Sequence, residues 1–220
     1  MTITLVFLAV IMATVIGWLL RQTLNTQPWI ADPADDAVSG ASLNTHSKTI
    51  ALTTFLAVAT SLFALFISAY TLRMKMGDWS PVAEPALLWF NSGLLLLASV
   101  AYHLTRNAAI GGHTRALKPG LGLAGLLTIL FLAGQLLAWR QLNASGHYAS
   151  SNPANAFFYL LTAIHGLHLL GGLWVWARSA VRVWTGAEAD SVRLSIELCT
   201  LYWHYLLLVW AVLFALLLYT

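Results

Sequence analysis

Six long apolar runs limit what this 220-residue chain can fold into. A helix that crosses a bilayer needs about 20 consecutive, mostly apolar residues. Charged residues make up only 9% of the chain, whereas about a quarter is usual in soluble domains. So few charges do not solvate a globule of this size. The sequence therefore predicts an all-α, polytopic transmembrane helix bundle, with spans at about residues 3–20, 50–72, 86–105, 121–139, 156–177 and 198–219.

The segments between the apolar runs hold nearly all of the charged residues and many typical turn residues. Proline and short polar side chains favour turns because they restrict the backbone or bond to it locally. These segments are therefore predicted to be loops, and their turn residues are Asp78, Pro81, Pro85, Pro119, Asn152 and Pro153.

The first apolar run is predicted to be a membrane anchor rather than a cleaved signal peptide. Signal peptides begin with a positively charged region, but the first basic residue here, Arg21, follows the run. The next segment contains the acidic stretch ADPADDAVSGASLNTHSK (31–48). We expect residues 1–48 to form one span plus an acidic cytoplasmic loop, appended to a five-helix transmembrane domain at 49–220.

The distribution of basic residues predicts the orientation in the membrane, since cytoplasmic loops carry an excess of Lys and Arg. Three of the 11 Lys and Arg residues, Arg73, Lys75 and Arg140, belong to one side. That side is therefore predicted to face outward, together with both termini. The other side, with the remaining eight, is predicted to be cytoplasmic: Arg21, Lys48, Arg106, Arg115, Lys118, Arg178, Arg182 and Arg193.

Two histidines three residues apart, His165 and His168, lie in the fifth apolar run and share one helix face. Polar groups in a membrane need a partner or a function. Together with His103 or His204, the pair is a candidate metal site or, with a facing histidine, a b-type haem site. Against this, no span has an acidic residue in its middle, and the single cysteine, Cys199, excludes an all-thiolate site.

Helix packing is the favoured alternative for the histidine pair. Gly166, Gly171 and Gly172 accompany the histidines, and small residues allow two membrane helices to approach closely and hydrogen-bond. The other function classes find less support. A transporter would need a charged residue at mid-membrane or repeated halves, and a serine hydrolase would need a G-x-S-x-G motif. The small basic excess is explained by topology, so no nucleic-acid partner is predicted.

Two motifs resemble subunit III of the haem-copper terminal oxidases, the cytochrome c and quinol oxidases. FFYLLTAIHGLHLLGG (157–172) is similar to the family signature, and ELCTLYWHYLLLVWAVLFALLLY (197–219) is similar to its closing helix. Weaker similarities include Asn91-Ser92 and Gln135. The resemblance covers about residues 50–220. The chain departs from the family pattern where carboxylates are usual, because Ala59, Ala138 and Leu207 stand there.

The resemblance implies an accessory, cofactor-free subunit in the bacterial cytoplasmic membrane. It would contact the catalytic subunit I, associate with subunit II and possible small subunits, and hold structural phospholipid, while haem and copper would belong to the partners. Electron transfer to O2 and proton translocation would be functions of the whole complex. The alternative is a b-type haem or quinone-associated anchor subunit of another respiratory complex. No catalytic or metal residue is expected in this chain.

The residues expected to make structural or lipid contacts lie in the two motifs and the segment between them. Glu197 is expected either to pair with Arg178, Arg182 or Arg193, or to be a solvated residue near the helix start, where the dipole favours it. The histidines are expected to form interhelical or lipid-phosphate hydrogen bonds. The full set is His165, His168, His204, Glu197, Trp203, Gly166, Gly171, Arg178 and Arg182.

Overall fold

The computed structural model describes residues 40–82, 86–186 and 189–219. This part of the chain contains no strand. Its five helices are all long and apolar enough to cross a membrane, which confirms the predicted fold class. The predicted first span and most of the acidic segment lie outside the described residues. The helices are α1 (Gly40–Arg73), α2 (Leu87–Ile110), α3 (Thr114–Ala144), α4 (Pro153–Trp184) and α5 (Ala189–Tyr219).

The chain divides into two compact units between Ser68 and Ala69. In the first unit, the described residues belong to α1, and three hydroxyls donate hydrogen bonds to carbonyls four residues earlier in the same helix. These donors are Thr53, Thr60 and Ser61. Hydroxyls that bond to their own backbone are tolerated in an apolar span because no donor is left unpaired.

Turn chemistry explains where several helices of the second unit begin and end. Asn152 caps α4 by accepting a hydrogen bond from the Ala154 N–H (3.1 Å), and Pro153 occupies the first helical turn. Asparagine caps and an N-terminal proline favour helix initiation. Gly112 and Gly146 follow α2 and α3 with φ of 69° and 81°, a conformation in which glycine avoids the strain that a side chain adds.

The prediction that Pro119 lies in a loop is wrong. Pro119 lies inside α3, which begins five residues earlier at Thr114. Because Pro119 is in the second turn, it removes a backbone donor close to the helix end rather than in the middle of the span. Its exposed position also leaves room for the proline ring, so the helix continues through it.

Helices α2 to α5 pack in a closed ring, in which α2 contacts α3, α3 contacts α4, α4 contacts α5, and α5 returns to α2. We call the end with the Gly111–His113 turn the turn end, and the end with residues 145–152 the loop end. A group of buried apolar residues fills the turn end: Ala109, Leu117, Leu121, Val183, Val192 and Ile196.

Side chains and backbone groups fix the segment after α1 at the loop end. Arg73 donates two hydrogen bonds to the Asp78 carboxylate, one of them 2.6 Å long. The Asn152 amide donates to the carbonyl of Ser80 (2.5 Å). The Trp79 ring lies edge-on to Tyr70, with ring centroids 4.8 Å apart. The ion pair and the aromatic contact thus hold the segment against the end of α1, and the Asn152 amide holds it against the start of α4.

Large apolar side chains cover the outer surface of the second unit. The exposed fraction reaches 67% at Leu167 and 70% at Trp174. A water-soluble protein rarely exposes a continuous apolar surface of this kind, whereas lipid tails are as apolar as leucine. This surface fits a multi-pass membrane protein.

Candidate functional site

Helix α4 places the two motif histidines in different surroundings. His165 is fully buried, and its ring packs against two aromatic rings of neighbouring helices, which also pack against each other. The ring centroids are 5.3 Å apart for His165 and Trp210 and 6.0 Å apart for His165 and Phe131. His165 therefore belongs to the aromatic core that joins α3, α4 and α5.

His168 is half-buried and bonds to its own helix. Its Nδ1 donates a hydrogen bond to the Ile164 carbonyl (2.8 Å), so one ring nitrogen is used locally. The His168 carbonyl accepts a hydrogen bond from the Tyr202 hydroxyl (2.9 Å). The backbone of this motif residue thus links α4 to α5.

Close approach of α4 and α5 occurs at Gly172. A Cβ atom there would lie 2.7 Å from the Tyr202 ring and 2.9 Å from the Trp203 ring, shorter than van der Waals contact. At Gly171, no atom of the described residues lies within 4 Å of such a Cβ, and at Gly166 the nearest is Leu132 at 3.8 Å. Of the three motif glycines, Gly172 is therefore the one that packs closely against a neighbouring helix.

His204 of α5 contacts α2. Its Nδ1 lies 2.5 Å from the Ser99 hydroxyl, and its ring centroid is 5.7 Å from that of His103, which is exposed. The contact is an interhelical hydrogen bond of the kind expected for this histidine.

Three indole groups make a repeated hydrogen-bond pattern between helices. Each indole N–H donates to a Ser or Thr hydroxyl of a neighbouring helix. Each hydroxyl in turn donates to a carbonyl four residues earlier in its own helix, so its donor and an acceptor are both used. The pairs are Trp203 with Thr128 (3.0 Å), Trp210 with Ser92 (2.9 Å) and Trp139 with Thr162 (3.1 Å).

The indole–hydroxyl pairs include one residue from the predicted set, Trp203, which is fully buried. Its partner Thr128 was missed, as was Thr162, whereas Ser92 was noted only for its similarity to the family. A hydroxyl in an apolar run is a weak signal, since it bonds equally well to its own backbone. Only the packing shows which hydroxyls face an indole.

The basic residues near the turn end have separate contacts. Glu197 accepts a hydrogen bond from Arg193 Nε (2.9 Å), which makes an ion pair across one helical turn. Of the three partners expected for Glu197, Arg193 is the one that forms the ion pair. Arg182 donates to the Ser191 carbonyl (3.3 Å), and Arg178 is exposed.

Apolar residues occupy the three positions at which the sequence resemblance implies carboxylates in the family. Ala138 is fully buried in α3, and Leu207 is half-buried in α5. Ala59 belongs to α1 in the first unit. At Ala138, a carboxylate would be taken out of water, which is costly for a charged group.

The described residues contain no group of three or more His, Cys, Asp or Glu side chains that is placed to hold a metal ion. In the motif helices, the polar side chains instead contact aromatic rings, hydroxyls and backbone carbonyls of the bundle. These features define a multi-pass helical membrane protein in which polar groups join the helices together.

Comparison with known proteins identifies the family. The family model for cytochrome c oxidase subunit III matches residues 2–220, so the chain belongs to the cytochrome c oxidase subunit III family. This match is longer than the 50–220 covered by the motifs. As a member of this family, the chain is a subunit of a haem-copper oxidase complex in aerobic respiration.

Curated relatives agree with the family match. A cytochrome c oxidase subunit 3 from Synechocystis is 30% identical, with 74% of this chain and 71% of the relative covered. A subunit 3 from Thermostichus vulcanus is 24% identical, with 82% and 91% covered. A cytochrome bo(3) ubiquinol oxidase subunit 3 from Pseudomonas aeruginosa is 26% identical, with 70% and 75% covered.

Proposed function

We propose that the chain is a non-catalytic subunit that supports the oxygen-reducing subunit I and carries no cofactor of its own. Haem and copper would belong to the partner subunits. The observation that carries this proposal is that side chains of the two sequence motifs make hydrogen bonds within the bundle. Trp203 and Trp210 bond to hydroxyls across the bundle, and His168 and His204 bond to a carbonyl and a hydroxyl.

Interlocked helices suit a supporting role. Gly172 receives the Tyr202 and Trp203 rings, and the Tyr202 hydroxyl bonds to the His168 carbonyl. Interhelical hydrogen bonds in membranes each stabilise by about 0.6 kcal/mol on average, so several together with close packing favour one arrangement. A rigid bundle would present a fixed surface to subunit I, to subunit II and to small subunits.

Phospholipid binding is the second part of the proposal. Helix α4 exposes Leu167, Leu170 and Trp174, and the exposed cations Arg178 and Arg182 follow toward its end. An apolar surface followed by cations matches an acyl chain and an anionic headgroup, because basic residues near a membrane surface attract anionic lipid. His168 lies on the same helix, half-buried, beside this surface.

The proposed location is the bacterial cytoplasmic membrane, with both termini on the outer side. The turn end carries Arg178, Arg182 and Arg193, and cytoplasmic ends of spans are rich in such residues. Residues 1–48 would add a further anchor and an acidic cytoplasmic segment to the five-helix domain at 49–220.

Affinity capture of the tagged chain from mild detergent tests the supporting role. We expect the haem-containing subunit I to be captured with it, and we expect the chain to have no haem absorption band after separation in strong detergent. Capture without any haem protein would contradict the role. A haem band from the separated chain would instead favour the anchor subunit with a b-type haem.

Replacement of His168 by Ala tests the motif. We expect weaker retention of the chain in the complex, or faster inactivation during turnover, with an unchanged haem spectrum. Leu136→Ala is the control, because Leu136 is exposed on α3, outside the proposed lipid surface of α4, and offers no hydrogen bond. Loss of haem in the His168→Ala complex, with the control normal, would contradict the proposal.

A further inference from the structure

Two amide side chains are buried in the bundle, Asn91 on α2 and Gln135 on α3. The exposed fraction is 0% for Asn91 and 4% for Gln135. Within residues 40–82, 86–186 and 189–219, no group hydrogen-bonds to any of their four side-chain polar atoms. A buried amide without a partner costs roughly 2–7 kcal/mol, depending on the reference state, and a membrane offers no water from outside.

The backbone leaves space for the Asn91 amide. A Cβ atom at position 134 would lie 2.1 Å from Asn91 Oδ1 and 3.1 Å from Nδ2. Only glycine at this position lets the amide lie against α3, and Gln135 is the next residue. The helix interface therefore accommodates a polar group instead of excluding it.

Aromatic side chains enclose the same region. Trp210 bonds to Ser92, the neighbour of Asn91, and its ring centroid is 5.1 Å from that of Phe131. Gln135 is four residues after Phe131, so both lie on the same face of α3. Asn91 is thus next in sequence to the residue that bonds to Trp210, and Gln135 shares a helix face with Phe131. Phe131, His165 and Trp210 form one buried aromatic group.

We propose that ordered water binds inside the bundle, held by Asn91 of α2 and Gln135 of α3. Water both donates and accepts, as the two amides require, since each has one acceptor oxygen and two N–H donors. Buried waters usually make two to four hydrogen bonds to otherwise unpaired polar groups. A metal cation fits less well because neutral amides supply no negative charge, and an anion would lack a positive one.

Hydroxyl-radical footprinting of the intact oxidase complex with short X-ray pulses tests this site. Water that is bound inside a protein forms radicals where it lies and oxidises adjacent side chains. Trp210 is 1% exposed and Trp203 is 0% exposed, and both are in α5. We expect Trp210 to be oxidised severalfold more than Trp203, whose N–H bonds to Thr128, about two turns before Gln135 in α3. Equal, low oxidation of both indoles would overturn the proposal.

The double variant Asn91→Leu with Gln135→Met removes the water-binding groups while keeping side chains of similar size. We expect oxidation of Trp210 to fall to the level of Trp203. If Trp210 remains oxidised in this variant, the water is held by other groups, and the assignment to Asn91 and Gln135 is overturned. If the variant does not assemble, the ratio between the two indoles in the unaltered complex decides alone.

Discussion

The two ends of the α2–α5 bundle bury different kinds of side chain. At the turn end, aliphatic residues fill the interior, and the Trp176 ring lies against Gly125 while its N–H bonds to the Leu121 carbonyl (3.1 Å). Toward the loop end, the interior holds Asn91 and Gln135. The same four helices therefore bury aliphatic and aromatic side chains at one end and two amides at the other.

Two glycines of α3 make this difference testable, because each receives a side chain from a neighbouring helix. Gly125 receives a rigid indole, and Gly134 receives a short amide. An indole that fills its space has no alternative position nearby, whereas an amide changes rotamer more easily. An added methyl group should therefore destabilise the bundle more at Gly125, at the turn end, than at Gly134, toward the loop end.

The largest expected effect is that of Gly125→Ala. Three indole atoms of Trp176 would lie within 2.6 Å of the new methyl group, the nearest at 2.1 Å. The indole must move and weaken its bond to Leu121, and overpacking of this kind costs about 2–3 kcal/mol. We expect a lower midpoint temperature for the chain in detergent-extracted complex, measured as the fraction that stays soluble after heating.

Gly122→Ala is the control for Gly125→Ala, since no atom of the described residues lies within 4 Å of its added Cβ. Alanine is the better helix former, so the midpoint should be unchanged or higher. Gly134→Ala should lower it less than Gly125→Ala. If Gly134→Ala has the larger effect, the amide is held as rigidly as the indole, and the contrast between the two ends is wrong.

A smaller effect is expected for Trp203→Phe, which removes one indole–hydroxyl pair. The phenyl ring leaves part of a fully buried site unfilled, and Thr128 loses the N–H donor but keeps its bond to the Ala124 carbonyl. Together these losses should cost about 1–2 kcal/mol. The same thermal measurement should show a midpoint between those of Gly125→Ala and the unaltered chain.

Trp174→Phe is the matched control for Trp203→Phe, because Trp174 is 70% exposed on the neighbouring helix. Its replacement should leave the midpoint nearly unchanged. Equal effects of the two substitutions would mean that indole size alone matters. The bond to Thr128 would then contribute nothing to helix packing.

The sequence predicted the described spans well because length and hydropathy determine which segments cross a bilayer. It placed the helix ends less well. The span predicted at 121–139 is part of the helix Thr114–Ala144, which begins seven residues before the predicted span and ends five residues after it. Hydropathy marks the part of a helix in hydrocarbon, but backbone hydrogen bonds continue into polar segments. Pro119 was assigned to a loop for the same reason.

The site was predictable in its residue types but not in its contacts. The pattern identified His165, Trp203 and the glycine-rich segment as packing residues, but it did not show that Gly172 rather than Gly171 meets α5. Adjacent glycines lie about 100° apart around a helix, so the choice depends on how α4 is rotated. The rotation of α4 about its axis depends on how the neighbouring helices pack against it, and the sequence of α4 alone does not determine that packing.

The smallest expected effect lies outside the spans, at the loop end, in the pair of Arg73 and Asp78. Hydrogen bonds from the Arg73 guanidinium lower the pKa of Asp78 below its usual value. A carboxyl group with a lowered pKa stabilises the folded state above its unfolded pKa of about 3.9. That contribution is lost as the pH falls through the lower, folded pKa. Both side chains reach solvent, so salt screens the pair.

Asp78→Asn should therefore lower the thermal midpoint slightly at pH 7, by at most about 2 °C. The difference from the unaltered chain should shrink with added salt and vanish below the folded pKa, because both chains then carry a neutral group. Lys75→Gln, in the same exposed segment, is the control, and its effect should not change across this acidic range. A difference that persists at low pH would show that Asp78 acts through the shape of the segment, and the loop end would then resemble the turn end in its reliance on packing.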